Sequence, residues 1–304
     1  MGKIAFMFSG QGAQKAGMGK DFYDNCPKVK ELFDSCEALR PGTLDQCFNG
    51  SDEVLRETAN TQPCLYLADI AAAISLKEAG VTPSGLAGFS LGEIPAMAFG
   101  GGYTYEEGFM IASSRGAIMG RETAKVDSSM MAVVKLTDEK VEELCSKYSD
   151  VYPVNYNCPG QLTVAGIKSQ LDQLKGDVKE AGGRGIPLSV SGGFHSPFMD
   201  GASQEFGRYL QGVSVALPEI TVYSNFTGMP YEGDPKELLT KQINNPVRWS
   251  KIINGMWEDG YDVFIETGVG NVLKNLVVKT LPQAKVFNVQ NMEDVKAVTE
   301  ELKI

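Results

Sequence analysis

The sequence predicts an α/β protein built on a parallel sheet and interrupted by a small unit of its own. Ile4 to Phe8 is a continuous apolar run of strand length ending in the turn Ser9-Gly10-Gln11-Gly12, the pattern of a strand buried on both faces. Strand and helix patterns alternate before residue 127 and again after residue 191, as in a parallel sheet with crossover helices. Between those limits the order is strand, helix, strand, strand, helix, strand, the ferredoxin-like βαββαβ arrangement, complete within about 65 residues.

Taken in order, the first helix is expected to start at Thr61-Gln62-Pro63, with Pro63 at its first position, and to end at Gly80. Leu86 to Phe89 follows as a strand, then a helix from Leu91 to Phe99 and another from Glu106 to Gly120. Pro95 falls about one turn inside the second of these helices, where it should cost a hydrogen bond. The inserted unit comprises Met130–Leu136, Asp138–Ser149, Val151–Tyr156, Gln161–Ile167, Ser169–Gly182 and Ile186–Val190. Beyond it come a helix from Pro197 to Leu210, strands near Ile220–Ser224 and Tyr261–Glu266, a helix from Asn271 to Thr280 and a strand at Lys285–Val289. At 304 residues a single core is near its upper limit, so a large domain (1–126 and 192–304) carrying a small one (127–191) is expected.

Composition excludes several function classes. The formal charge of −10 would repel a phosphate backbone, and no basic stripe offsets it, so nucleic acid is not an expected partner. The short apolar run at the start is too brief for a signal peptide core or a membrane span, and the pattern points to neither export nor a membrane. Six cysteines without a C-x-x-C pair fit reduced thiols and a cytoplasmic protein. One histidine and scattered cysteines give no metal-ligand spacing. Gly10-Gln11-Gly12 lacks the third glycine of a dinucleotide loop, and no phosphate-binding P-loop occurs.

Four positions carry the chemistry. Gly88-Phe89-Ser90-Leu91-Gly92 matches G-x-S-x-G between an apolar strand and a helix, the setting in which a cramped turn exposes a nucleophilic serine. The pattern alone is weak, and a turn serine capping the helix is the bland alternative. A serine nucleophile needs a base near neutrality, and the chain has only one histidine, His195, in the loop Gly192-Gly193-Phe194-His195-Ser196-Pro197. Arg115 lies mid-helix with Ile111, Ala112, Ile118 and Met119 one turn away, none able to neutralise it. Either its stem packs while the guanidinium reaches water, or its planar fork binds a carboxylate. Gln11 stands just past the carboxyl end of the first strand, where open α/β sheets bind ligands, and serves either the turn or an oxyanion.

Gly10-Gln11-Gly12-Ala13-Gln14, Gly88-Phe89-Ser90-Leu91-Gly92-Glu93, Arg115-Gly116, Gly193-Phe194-His195-Ser196-Pro197 and Asn245-Pro246-Val247-Arg248-Trp249 together resemble malonyl-CoA:acyl carrier protein transacylases. The similarity runs in order over nearly the whole chain. It implies an α/β-hydrolase-like large domain around the ferredoxin-like one, with Ser90 acylated and His195 as base. It further implies an oxyanion hole from Gln11 and the Leu91 N–H, a malonyl carboxylate held by Arg115, and no cofactor. Phe194 resembles the malonyl-selective form of its loop, which would crowd a branched acyl group. Phe89 departs from the family, which usually has histidine before the nucleophile. Arg248 stands where some members have glutamine, at a point where the resemblance implies that a backbone carbonyl orients the base.

The implied partners are malonyl-CoA and acyl carrier protein. Carrier proteins of this kind are acidic, as is this chain, so a local basic patch is required. Lys175, Lys179, Arg184, Lys274 and Lys279 are the candidates. The same serine and histidine would also suit a thioesterase or esterase passing the acyl group to water, against which Arg115 and the Gln11 block argue. A non-catalytic carrier-protein docking module is the other class, and the placement of the single histidine argues against it.

Overall fold

The computed structural model describes residues 2–304. Among the described residues nine strands form two sheets. β1 (Lys3–Phe8), β2 (Gly85–Gly88), β7 (Thr221–Tyr223), β8 (Tyr261–Thr267) and β9 (Lys285–Val289) make an all-parallel sheet in the order β7-β2-β1-β8-β9. β1 is central and its residues from Ile4 to Phe8 are buried, as a strand covered by helices on both faces must be. β3 (Ser128–Val134), β4 (Val151–Cys158), β5 (Gln161–Ile167) and β6 (Arg184–Pro187) make an antiparallel sheet in the order β4-β5-β3-β6. Numbered within the insertion this is 2-3-1-4, the ferredoxin-like order, with the helices Asp138–Cys145 and Lys168–Glu180 supplying the crossovers.

The two sheets meet beside the Asn245–Trp249 block. Tyr156 N–H donates to the Val247 carbonyl at 2.9 Å, and Val247 N–H donates to the Val154 carbonyl at 2.8 Å. These backbone bonds lay β4, the edge strand of the antiparallel sheet, against the segment that leads into the helix Trp249–Glu258.

Three expectations need correction. The long helix runs Thr58–Glu78, so Pro63 lies inside it and not at its first position. Proline removes the N–H that would reach the Ala59 carbonyl, and the Arg40 guanidinium comes to that oxygen instead, at 3.5 Å. The helix after Ser90 is divided into a 3₁₀ turn, Ser90–Gly92, and an α-helix, Glu93–Phe99. Pro95 is therefore the third residue of the α-helix, among the first four whose N–H groups have no intrahelical partner, and its missing donor costs little. Finally, residues 20–56 hold four helices, Lys20–Asn25, Pro27–Leu39, Thr43–Asn49 and Asp52–Arg56, where no element was expected.

Candidate active site

The site is built at the carboxyl ends of β1 and β2. Ser90 stands two residues past the end of β2 and adopts a left-handed backbone, φ +54°, which is strained for a residue with a side chain. The flanking glycines are needed for clearance. A Cβ on Gly88 would come within 1.9 Å of the Gly92 carbonyl carbon, and one on Gly92 within 2.1 Å of the Phe8 carbonyl oxygen. Asn225 ties the turn down: its Oδ1 accepts the Ser90 N–H at 2.6 Å, and its Nδ2 donates to the Gly88 carbonyl at 2.6 Å. Phe89 packs edge-on against Trp249, with ring centroids 5.6 Å apart, so it fills space beside the large sheet and brings no polar group to the serine.

His195 is also left-handed, φ +60°, and only 3% exposed. Its Nε2 lies 2.7 Å from Ser90 Oγ and its Nδ1 lies 2.9 Å from the Gln242 carbonyl oxygen. A carbonyl can only accept, which assigns the proton to Nδ1 and leaves the Nε2 lone pair facing the serine hydroxyl. Burial, and then the nearby Arg115 charge, push the imidazole down to a pKa of about 4, so it is neutral near pH 7. The orienting carbonyl is that of Gln242, in the helix Pro235–Gln242, and not that of position 248. Arg248 instead donates through Nε to the Phe226 carbonyl at 2.9 Å.

Arg115, in the helix Tyr105–Thr123, is 1% exposed, so its guanidinium does not reach water. Nη1 donates to Gln62 Oε1 at 2.9 Å, and Nη2 donates to Gln242 Oε1 at 2.8 Å and to Ser90 Oγ at 3.2 Å. All three acceptors are neutral. Nε has no partner among the described residues, so a buried cation with unengaged donors faces the serine. Burial brings its pKa down to about 10, against the attraction of the buried Glu93. Glu93 itself is pushed up to about 7 by burial, opposed by the groups that donate to it.

Ser90, His195 and Arg115 line one pocket with Gln11, Gln62, Phe89, Leu91, Asn155 and Phe194. Its volume of about 90 Å³ is well below the ~300–1,000 Å³ of ordinary ligand pockets, which suits a short acyl group. Phe194, Met119, Met130, Leu188 and Val190 supply its apolar wall. The Gln11 side chain turns away to donate to Thr58 Oγ1 at 3.3 Å. Its backbone N–H and that of Leu91 find no partner among the described residues. Sequence reasoning missed Gln62, Asn225 and Gln242 altogether. Glu93 was visible in its motif but had no assigned task. Polar side chains within otherwise apolar helices, as Gln62 is, were the available signal.

An elbow serine, a neutral imidazole and a buried guanidinium on one small pocket make a site for acyl transfer through a serine ester. A family model described as acyl transferase domain matches residues 5–300. The malonyl CoA-acyl carrier protein transacylase of Bacillus subtilis (strain 168) is 34% identical over 311 residues, covering 100% of this chain and 98% of the relative. A crystal structure of the malonyl CoA-acyl carrier protein transacylase of Clostridium perfringens superposes with a TM-score of 0.95 at 34% identity, over 99% of this chain and 97% of that one. A malonyl-transacylase in complex with its type II PKS acyl-carrier protein superposes with a TM-score of 0.94 at 28% identity, over 98% and 99% of the two chains. The chain belongs to the malonyl CoA-acyl carrier protein transacylase family.

Proposed function

We propose that this protein moves a malonyl group from coenzyme A to the phosphopantetheine thiol of acyl carrier protein, through a malonyl ester of Ser90. The observation that carries this reading is the double contact of Ser90 Oγ, with His195 Nε2 at 2.7 Å and Arg115 Nη2 at 3.2 Å. One contact supplies a base, and the other a place for the carboxylate that distinguishes malonyl from acetyl.

In the first half-reaction Ser90 Oγ attacks the thioester carbon while His195 Nε2 takes its proton. The backbone N–H groups of Gln11 and Leu91 stabilise the oxyanion, and the thiolate of coenzyme A leaves with the proton that His195 returns. The imidazolium is held meanwhile by the Gln242 carbonyl on Nδ1. In the second half-reaction the carrier thiol gives its proton to His195 and attacks the ester carbon, and His195 returns that proton to Ser90 Oγ as the C–O bond breaks. Arg115 exchanges its contact with Ser90 Oγ for the malonyl carboxylate, and Phe194 closes the pocket around the three-carbon acyl group.

The division of labour between a large domain, 1–126 with 192–304, and a small one, 127–191, fits a pocket with walls from both: Ser90, Arg115 and His195 from one, Met130, Asn155 and Leu188 from the other. Lys175, Lys179, Arg184, Lys274 and Lys279 are the candidate carrier-docking charges. Among the described residues none of them has a carboxylate partner within 4.0 Å, unlike Lys147 and Lys168 nearby. No helix of the described residues is long and apolar enough to cross a membrane. We assign the reaction to the cytoplasm on the six unpaired thiols.

Incubation with radiolabelled malonyl-CoA tests the reading. Label should appear on the enzyme alone and pass to the carrier protein when that is added. Release of free malonate at the same rate with or without carrier protein would make the chain a thioesterase.

A further inference from the structure

Of the buried polar atoms that find no partner among the described residues, two belong to residues lining the acyl pocket: Arg115 Nε and Asn155 Oδ1. They are of opposite kinds. Nε is a donor, and the carboxylate of the acyl group answers it. Oδ1 is an acceptor, and an empty buried acceptor destabilises the folded state. Asn155 is 8% exposed and stands in the pocket wall with Met130, Leu188 and Val190, all apolar. Its backbone is held on both edges. On one side β5 pairs with it through Thr163. On the other the Val247 N–H bonds the Val154 carbonyl at 2.8 Å, and the Tyr156 N–H bonds the Val247 carbonyl at 2.9 Å. The strand thus fixes where the side chain starts, while the amide can turn end for end within its own volume.

The acyl group cannot supply the missing donor. A malonyl carboxylate and a thioester carbonyl only accept. Coenzyme A and carrier protein present no N–H until the amide two methylenes from the sulfur, which both carry. The carrier thiol has a proton, but that proton goes to His195. We propose that Asn155 binds this first amide of the pantetheine arm, with Oδ1 accepting its N–H, and so sets the sulfur beside Ser90 in both half-reactions. The inference rests on the malonyl-transfer reading above and adds to it the residue that recognises the arm and not the acyl group.

Three other roles for Asn155 give different results. If its Nδ2 served the malonyl carboxylate, losing it would change the preference for malonyl over acetyl. If it served the oxyanion, every thioester would slow by the same factor. If it only supported the fold, its variants would be less stable. Binding of the arm predicts none of these. Leucine has the branching of asparagine without its polar atoms, so Asn155→Leu removes an unpartnered buried group and should melt no lower than the wild type.

The experiment measures the second-order rate of Ser90 acylation by two short malonyl thioesters. That of N-acetylcysteamine keeps the first amide, and that of pentanethiol has the same length without it. In Asn155→Leu and Asn155→Ala the ratio of the first rate to the second should fall roughly 5- to 10-fold, the loss of one neutral hydrogen bond. The rate with the pentanethiol thioester, and the malonyl:acetyl ratio on N-acetylcysteamine, should stay as in the wild type. Asn155→Ala reads the same quantities if leucine overpacks the site. An unchanged ratio, an equal loss on both thioesters or a shifted malonyl:acetyl ratio overturns the proposal. So does a wild type that is acylated by malonyl-CoA and by neither short thioester. A wild type that malonyl-CoA itself does not acylate overturns the transfer reading beneath it.

Discussion

Replacing Arg115 with alanine should lower malonyl transfer by roughly 10- to 150-fold and acetyl transfer far less. The range comes from the contact that is lost. A hydrogen bond to a charged partner contributes about 1.5–3 kcal/mol, and each 1.4 kcal/mol is about tenfold. Arg115 has the donors for it: of its five N–H groups three go to Gln62, Gln242 and Ser90, leaving others, Nε–H among them, for a carboxylate. Alanine also orphans the Gln62 and Gln242 amide oxygens, a cost of about 1–3 kcal/mol for each buried group. That cost falls on the folded state and so on both substrates together. The ratio of kcat/KM for malonyl-CoA to that for acetyl-CoA isolates the carboxylate contact, and thermal melts of the same variants report the orphaned amides. Lysine at this position keeps the charge without the fork and should fall between. An equal loss on both substrates would make Arg115 a structural residue and remove the physical basis of malonyl selection.

Loss of the base in His195→Ala should lower transfer by about 100-fold or more, checked by single-turnover acylation. In the wild type, a base that loses its proton above a pKa of about 4 should let a fluorophosphonate label Ser90 at an undiminished rate down to about pH 5 and more slowly below. Its unfolded pKa lies near 6.5, so the unfolded chain binds the extra proton between the two values, and His195 should make stability fall as pH drops through that window. Asn225→Ala leaves the Ser90 N–H and the Gly88 carbonyl unpaired and should cost about 3 kcal/mol in urea unfolding, with slower labelling of Ser90. Reversing charge at Lys179 and Arg184 should raise KM for carrier protein and leave KM for malonyl-CoA unchanged; equal effects on both would remove these residues from the docking surface.

The parts of the site that were legible are those announced by backbone constraint or by scarcity. Gly88 and Gly92 flank Ser90 because nothing larger clears the turn, and a single histidine leaves no choice of base. The parallel sheet was legible from its uniformly apolar strands, and the antiparallel sheet from the strand and helix order of residues 127–191. The supporting shell was not. Asn225 and Gln242 reach Ser90 from 135 and 152 residues away, and no local pattern encodes such contacts. Gln242 lies a few residues before the Asn245-Pro246 block, and the carbonyl that orients His195 was sought on the wrong side of that block. The helices of residues 20–56 escaped because several are short and capped by backbone geometry. Gly19 and Gly42 precede two of them in left-handed conformations, without a capping side chain to mark the start.

The central claim is that the acyl group rests on Ser90 between the two half-reactions. Mixing the wild type with malonyl-CoA in the absence of carrier protein, quenching in acid and mapping peptides by mass spectrometry tests this directly. One malonyl group should appear on the peptide containing Ser90 and leave it when carrier protein is added before the quench. Ser90→Ala should carry none. A malonyl group found on any other residue, or retained in the alanine variant, would contradict the account.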